Sequence, residues 1–175
     1  GTSGQFAHGL LAENRGGGDA DATLNDGQIT TAGANARGVM AYITAVGTGD
    51  AHAAMDGGTV TTSNFQGQGV LAQALSTQSS VYASMSGGAV TTSGAQGYGV
   101  RAVLNSLLSA AAEEAAVTVT GGRVETTGDG AHAYSSVNNG RGVARATLDN
   151  ATATTSGAGS HGLLVQSGSG SSAAA

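Results

Sequence analysis

Ala89-Val90-Thr91-Thr92-Ser93-Gly94 is the stretch on which the fold turns, because the chain keeps returning to it. It appears as Gln28-Ile29-Thr30-Thr31-Ala32-Gly33, as Thr59-Val60-Thr61-Thr62-Ser63-Asn64 and as Arg123-Val124-Glu125-Thr126-Thr127-Gly128. It appears again as Thr152-Ala153-Thr154-Thr155-Ser156-Gly157, and a truncated copy, Thr2-Ser3-Gly4, opens the chain. A repeat of about thirty residues is the mark of a solenoid, a stack of like units in which each unit touches only its neighbours.

Two more landmarks recur in every unit. Ten residues after the first comes a second: Ile29 leads to Val39, Val60 to Val70, Val90 to Val100, Val124 to Tyr134 and Ala153 to Leu163. Most of these follow a Gly, as in Gly38-Val39-Met40-Ala41 and Gly69-Val70-Leu71-Ala72. The third is an alternating block such as Ala51-His52-Ala53-Ala54-Met55 or Val81-Tyr82-Ala83-Ser84-Met85, the period-two pattern of a strand with one buried face. Its last apolar residue (Leu24, Met55, Met85, Val119, Leu148) always stands five positions before the next first landmark. The gap between second and third landmarks instead varies from 14 residues (Leu10 to Leu24) to 19 (Val100 to Val119). Variation of that kind belongs in a surface loop, where insertion costs little. Each unit therefore reads as three short strands, two tight turns and one elastic turn.

Three strands per coil, wound repeatedly, predict an all-β chain folded as a parallel β-helix with about 30 residues per coil and five to six coils. Parallel crossovers are overwhelmingly right-handed, so a right-handed helix is expected. The repeat region spans residues 1–166, and residues 167–175 form a Gly/Ser/Ala tail with the character of a linker or an artefact. The predicted internal ladders are Ile29/Val60/Val90/Val124, Val39/Val70/Val100/Leu163, Ala22/Ala53/Ala83/Val117/Ala146 and Leu24/Met55/Met85/Val119/Leu148. A narrow interior favours Ala, Val and Leu over large aromatics, which make up only 3% of the chain. Gly4, Gly33, Asn64, Gly94, Gly128 and Gly157 close the first strand, and this choice of residues predicts a turn with positive φ. Thr2, Thr31, Thr62, Thr92, Thr126 and Thr155 never vary, and predict a ladder of hydroxyls bonded to neighbouring coils or to turn backbone.

Composition narrows the functional classes. Without Cys there are no disulfides or thiolate metal sites, and without Pro the strands run uninterrupted. Charged residues are 10% with a net charge of -5, which argues against a nucleic-acid patch. The 31 Gly suggest a disordered linker, but disorder usually pairs low hydrophobicity with high net charge, whereas here the apolar residues fall in register. No apolar run approaches the roughly 18 residues of a membrane helix. The sequence starts inside a repeat, at a position equivalent to Thr30, so it reads as a piece of something longer.

The pattern Gly-x-Val-Thr-Thr-Ser-Gly followed by Gly-Val-x-Ala, carried by Gly58–Ala72 and Gly88–Ala102, resembles the passenger domains of Gram-negative autotransporters, the pertactin-like surface β-helices. The resemblance covers essentially the whole chain. It implies a cell-surface or secreted protein delivered through a C-terminal outer-membrane barrel that lies outside this sequence. It also implies an adhesin, a self-association factor or a scaffold for a separate enzymatic domain. Lack of Cys agrees with passage through such a barrel. No motif matches the serine proteases or esterases of that family.

Candidate chemistry is sparse, and no catalytic residue, metal ligand or cofactor site is assigned. His8, His132 and His161 share one column with Arg37, Gln68 and Tyr98, so three His cannot converge, although His132 and His161 lie on adjacent coils. Asp26, Asp56 and Asp149 sit at corners beside Gly or Asn, where Asp is turn chemistry. The outward column Thr30, Thr61, Thr91, Glu125, Thr154 has the look of an ice-binding array, but Glu125 interrupts it. The strongest candidate is apolar: Leu11, Met40, Leu71 and Leu164 alternate with inward residues and so are expected to face outward as an interaction ladder. The long turn Val103–Glu114 has a helix-forming composition and is the alternative, a cover for that ladder. The expected role is a non-catalytic adhesin or self-associating stalk that engages its own copies or surface molecules of a host or neighbouring cell. A polysaccharide-acting β-helix enzyme and a passive spacer are the other two readings.

Overall fold

Alternation between small apolar and polar residues folds here into strands that pair across coils rather than along the chain. The computed structural model describes residues 1–107, 110, 112–168 and 172–175. Its first sheet stacks β1 (Leu10–Asn14), β4 (Arg37–Ile43), β7 (Gln68–Ala74), β10 (Val100–Leu104), β13 (Tyr134–Asn138) and β16 (Leu163–Ser167). The second stacks β2 (Ala20–Leu24), β5 (Ala51–Met55), β8 (Val81–Met85), β11 (Glu114–Val119), β14 (Val143–Leu148) and β17 (Ala173–Ala174). The third stacks β3 (Gln28–Thr31), β6 (Thr59–Thr62), β9 (Ala89–Thr92), β12 (Arg123–Thr126) and β15 (Thr152–Thr155). The protein is an all-β parallel β-solenoid with three strands per coil, about 30 residues per turn and about five turns. No helix of the described residues is long and apolar enough to cross a membrane.

Every strand pairs in parallel with its equivalent one coil away, so like positions superimpose. Ile29, Val60, Val90, Val124 and Ala153 form one ladder. Val39, Val70, Val100, Tyr134 and Leu163 form a second. Leu24, Met55, Met85, Val119 and Leu148 form a third. The buried members of these ladders make one continuous core along the axis, while Ala153 and Leu148 of the last coil are exposed. β17 extends the second sheet by pairing Ala173 with Ala144 and Ala174 with Arg145.

Two expectations about the coil are corrected. The interior does admit a large aromatic: Tyr134 is fully buried in the core and its hydroxyl donates to the Thr152 carbonyl at 3.0 Å. Burial of that phenol pushes its pKa up to about 12. Room for the ring is gained in the adjoining ladder, where Ala153 replaces the Ile or Val of earlier coils.

The second correction concerns the glycines that close the first strand. Of that set only Asn64 has positive φ, and the left-handed residues fall two positions later, at Phe6, Asn35, Gln66, Gln96, Gly130 and Gly159. Each of the first five donates its backbone N–H to the corner carbonyl of the next coil, as Gln66 does to Ala95 at 2.9 Å and Gln96 to Asp129 at 2.9 Å. That bond is regained in every coil and offsets the cost of an unfavourable φ. The glycines themselves are required by stacking: a Cβ on Gly33, Gly94, Gly128 or Gly157 would overlap the backbone carbonyl of the coil before it.

A second glycine column, ahead of the second landmark, has its own steric cause. A Cβ on Gly38 or Gly69 would lie 2.6 Å from the next coil's carbonyl oxygen and collide with a Val60 or Val90 methyl. The series continues through Gly99 against Val124. Ala133 takes the next place in the column, and by the same register it faces the smaller Ala153.

The threonine ladder bonds to one of its two expected partners, the turn backbone. The hydroxyls of Thr2, Thr62, Thr92 and Thr126 each donate to the carbonyl five residues ahead in the same coil, at 2.6, 3.0, 2.7 and 3.2 Å. Thr31, Thr62, Thr92 and Thr126 are completely buried. These residues brace the corner from inside, one coil at a time. The Thr31 hydroxyl, equally buried, makes no such bond.

Candidate functional site

Period-two alternation places Leu11, Met40, Leu71 and Leu164 on the outer side of the first sheet, in register with Arg101 and Ser135. The column is not the accessible stripe expected of it. Leu71 is 0% exposed and Met40 7%, and both belong to a second apolar cluster with Val103, Val137 and the partly buried Tyr42. Only its ends reach solvent, Leu11 well exposed and Leu164 partly. An outward position fixes which side of the sheet a residue occupies. Water access depends on what packs on that side. Within the long turn Val103–Glu114, Leu108, Ser109 and Ala111 lie outside the described residues, and none of the described ones is helical, contrary to the composition.

The histidine column has a structural use at the sheet's entrance. The Arg37 backbone N–H donates to His8 Nδ1 at 3.1 Å, and the His161 N–H donates to His132 Nδ1 at 3.0 Å. A backbone N–H can only donate, so each acceptor ring is neutral with its proton on Nε2. His132 and His161 stack with centroids 5.0 Å apart, and Tyr98 packs against His132 at 5.2 Å. Burial lowers the pKa of His132, with further lowering from His161 and Arg101. Burial, then Arg37, lowers that of His8. Among the described residues no group of three or more His, Asp or Glu is placed to hold a metal ion.

Asp26 is turn chemistry, its Oδ1 accepting from the Gly27 N–H at 2.7 Å, whereas Asp56 reaches across coils, its Oδ1 accepting from the Ser86 hydroxyl at 2.9 Å. Sequence reasoning missed a further polar ladder, although its signal was present. Asp19, Asp50, Ser80 and Glu114 immediately precede Ala20, Ala51, Val81 and Ala115 of the third block. Asp19 accepts the Asp50 N–H at 2.8 Å, Asp50 accepts the Ser80 N–H at 2.7 Å, and the Ser80 hydroxyl oxygen accepts the Glu114 N–H at 3.0 Å. Each side chain caps the strand one coil on.

The outer face of the third sheet is different in kind. Thr30, Thr61 and Thr154 are exposed, Thr91 and Glu125 are partly so, and they stack in register beside Gln28, Thr59, Ala89, Arg123 and Thr152. This is a five-strand polar surface with one side chain per coil in each column. No concave pocket is found among the described residues. No family model, curated protein or solved structure matches the chain. Its class is therefore set by its own geometry, that of a parallel β-solenoid of about five turns.

Proposed function

We propose that the chain is part of a non-catalytic cell-surface or secreted β-solenoid, an adhesin or self-association stalk of the kind found in Gram-negative autotransporter passengers. The observation that carries this reading is the third sheet's outer face. There Thr30, Thr61, Thr91 and Thr154 recur at the inter-strand spacing, about 4.8 Å, and reach solvent. A surface of this form suits many weak contacts that add along the rod, because each contact made raises the effective concentration for the next. The partner is a second copy of the chain or a surface molecule of a host or neighbouring cell. The sequence pattern Gly-x-Val-Thr-Thr-Ser-Gly supports the family resemblance.

The test is velocity sedimentation over a wide concentration range, together with binding of the labelled chain to cells. Concentration-dependent association or cell binding that is lost in the double variant Thr61→Arg, Thr91→Arg supports the reading. A chain that stays monomeric and binds no cell leaves a passive spacer. Cleavage of a polysaccharide by the purified chain would overturn the non-catalytic reading.

A further inference from the structure

Two arginines of this acidic chain lie on the outer side of the first sheet, and neither is ion-paired with a carboxylate. Arg37 opens β4, and Arg101 lies on β10 with its guanidinium 4.1 Å from the centroid of the Tyr98 ring. The ion pairs of the described residues are elsewhere, Arg15 with Glu13 and Arg145 with Glu114. Burial lowers the pKa of both guanidinium groups, and the positive charge of Arg101 lowers that of Arg37 further. Two half-buried cations thus stand on this face without a carboxylate partner, an arrangement that costs free energy until an anion is supplied.

The hydrogen-bonding groups around them are also unfilled. Arg37 donates one terminal N–H to the Asn35 carbonyl. Its Nε, the Nε of Arg101, the side-chain oxygen of Gln68 and the hydroxyl of Ser135 are all buried without a partner. Register sets Gln68 opposite Arg37 and Ser135 opposite Arg101, and the Arg101 guanidinium leans over Tyr98, which follows Gln68 in the column of Arg37. Ser135 is wholly buried and Gln68 nearly so. Three of the four are donors, or become donors by rotation of a hydroxyl. A turned amide makes Gln68 the fourth, since its oxygen and nitrogen are assigned by the network around them. Unfilled donors beside unpaired cations define a ligand by its chemistry.

We propose that Arg37, Gln68 and Arg101 form a binding site for an oxyanion, the carboxylate, sulfate or phosphate group of a ligand. The guanidinium of Arg101, held over the Tyr98 ring, meets the anion on one side, and Arg37 closes the other side. The Gln68 amide completes the donor set. Planar forks of this kind favour oxyanions with two accessible oxygens.

The test titrates the full chain with sodium sulfate, sodium phosphate and sodium glucuronate at an ionic strength held constant with sodium chloride. Binding is read by calorimetry and by NMR of the Arg Nε–H and His132 ring signals. Saturable shifts of the Arg37 and Arg101 Nε–H signals are expected, and the tightest of the three anions identifies the group. Arg101→Met and Arg37→Met should each weaken binding at least about tenfold, the loss of one charge-assisted bond. Arg123→Met, on the third sheet, should leave it unchanged. Absence of saturable shifts with all three anions overturns the proposal, as does equal weakening by Arg123→Met, which would mean general charge attraction. If either site variant fails to fold, the Nε–H titration of the unaltered chain still decides.

Discussion

The outer faces of the first and third sheets have the same period, the same parallel pairing and the same coil-on-coil register, yet one is a second core and the other is open. On the first, Met40, Leu71, Val103 and Val137 are packed together out of water. On the third, Thr30, Thr61 and Thr154 are exposed. Strand alternation decides only which side of the ribbon a side chain leaves from. What the side chain then meets depends on whether anything lies over that side, so two columns read alike in the sequence have opposite surroundings.

The sharpest break of this comparison is a charge placed at matched positions. Val137→Asp should cost more than about 4 kcal/mol, because it buries an unpaired carboxylate beside Val103 in the second apolar cluster, while Thr61→Asp should stay within about 0.5 kcal/mol as a surface change. Denaturant unfolding of both variants measures the difference, and similar midpoints would mean that the first face is open after all.

A finer cut lies within the third sheet, between neighbours that point opposite ways. Thr62→Val removes the buried donor to the Gly67 carbonyl and should cost about 1–3 kcal/mol, whereas Thr61→Val should be nearly neutral. Equal effects would count against the inside corner brace.

The smallest expected effect concerns the polar edge of the first sheet. His8 and His132 have pKa values below the ordinary 6.5, so the unfolded chain binds their protons more readily than the folded one. Stability from this source is complete above about pH 6.5 and declines as pH falls below it. Replacing His132 with Gln, the residue that Gln68 supplies in the same column, should flatten the slope of stability against pH over that range. An unchanged slope would remove His132 from the account.

Much of the coil was legible in advance. The ladders through Val60, Val70, Ala53 and Met55 follow directly from the spacing of apolar residues, because superposed coils oblige like positions to share surroundings. The corners were harder. Composition at Gly33, Gly94 and Gly128 indicates that a side chain is not tolerated, but a missing Cβ serves either a left-handed backbone or a close approach. Only the stacked carbonyls show that close approach is the cause. Conversely, Gln66 and Gln96 adopt positive φ without any sequence signal, since their inter-coil hydrogen bonds exist only once the coils are stacked.

The candidate site divides in the same way. Leu11, Met40, Leu71 and Leu164 were correctly placed in one outward column, and the His132–His161 contact followed from the repeat length. Neither the burial of Leu71 nor the unpaired state of Arg37 and Arg101 can be read from spacing. Arg101 falls among apolar residues in its column and looks there like an interruption.

By itself the sequence determined the winding: its thirty-residue period, its three strands per coil and the residues that line the axis. All of these depend on local alternation and on repetition. Tertiary structure alone decided which outer face meets water, why the corner glycines are glycine, and where two guanidinium groups are left without a counter-charge. Those properties arise between coils, from atoms some thirty residues apart in the chain, and a pattern read along one strand carries no record of them.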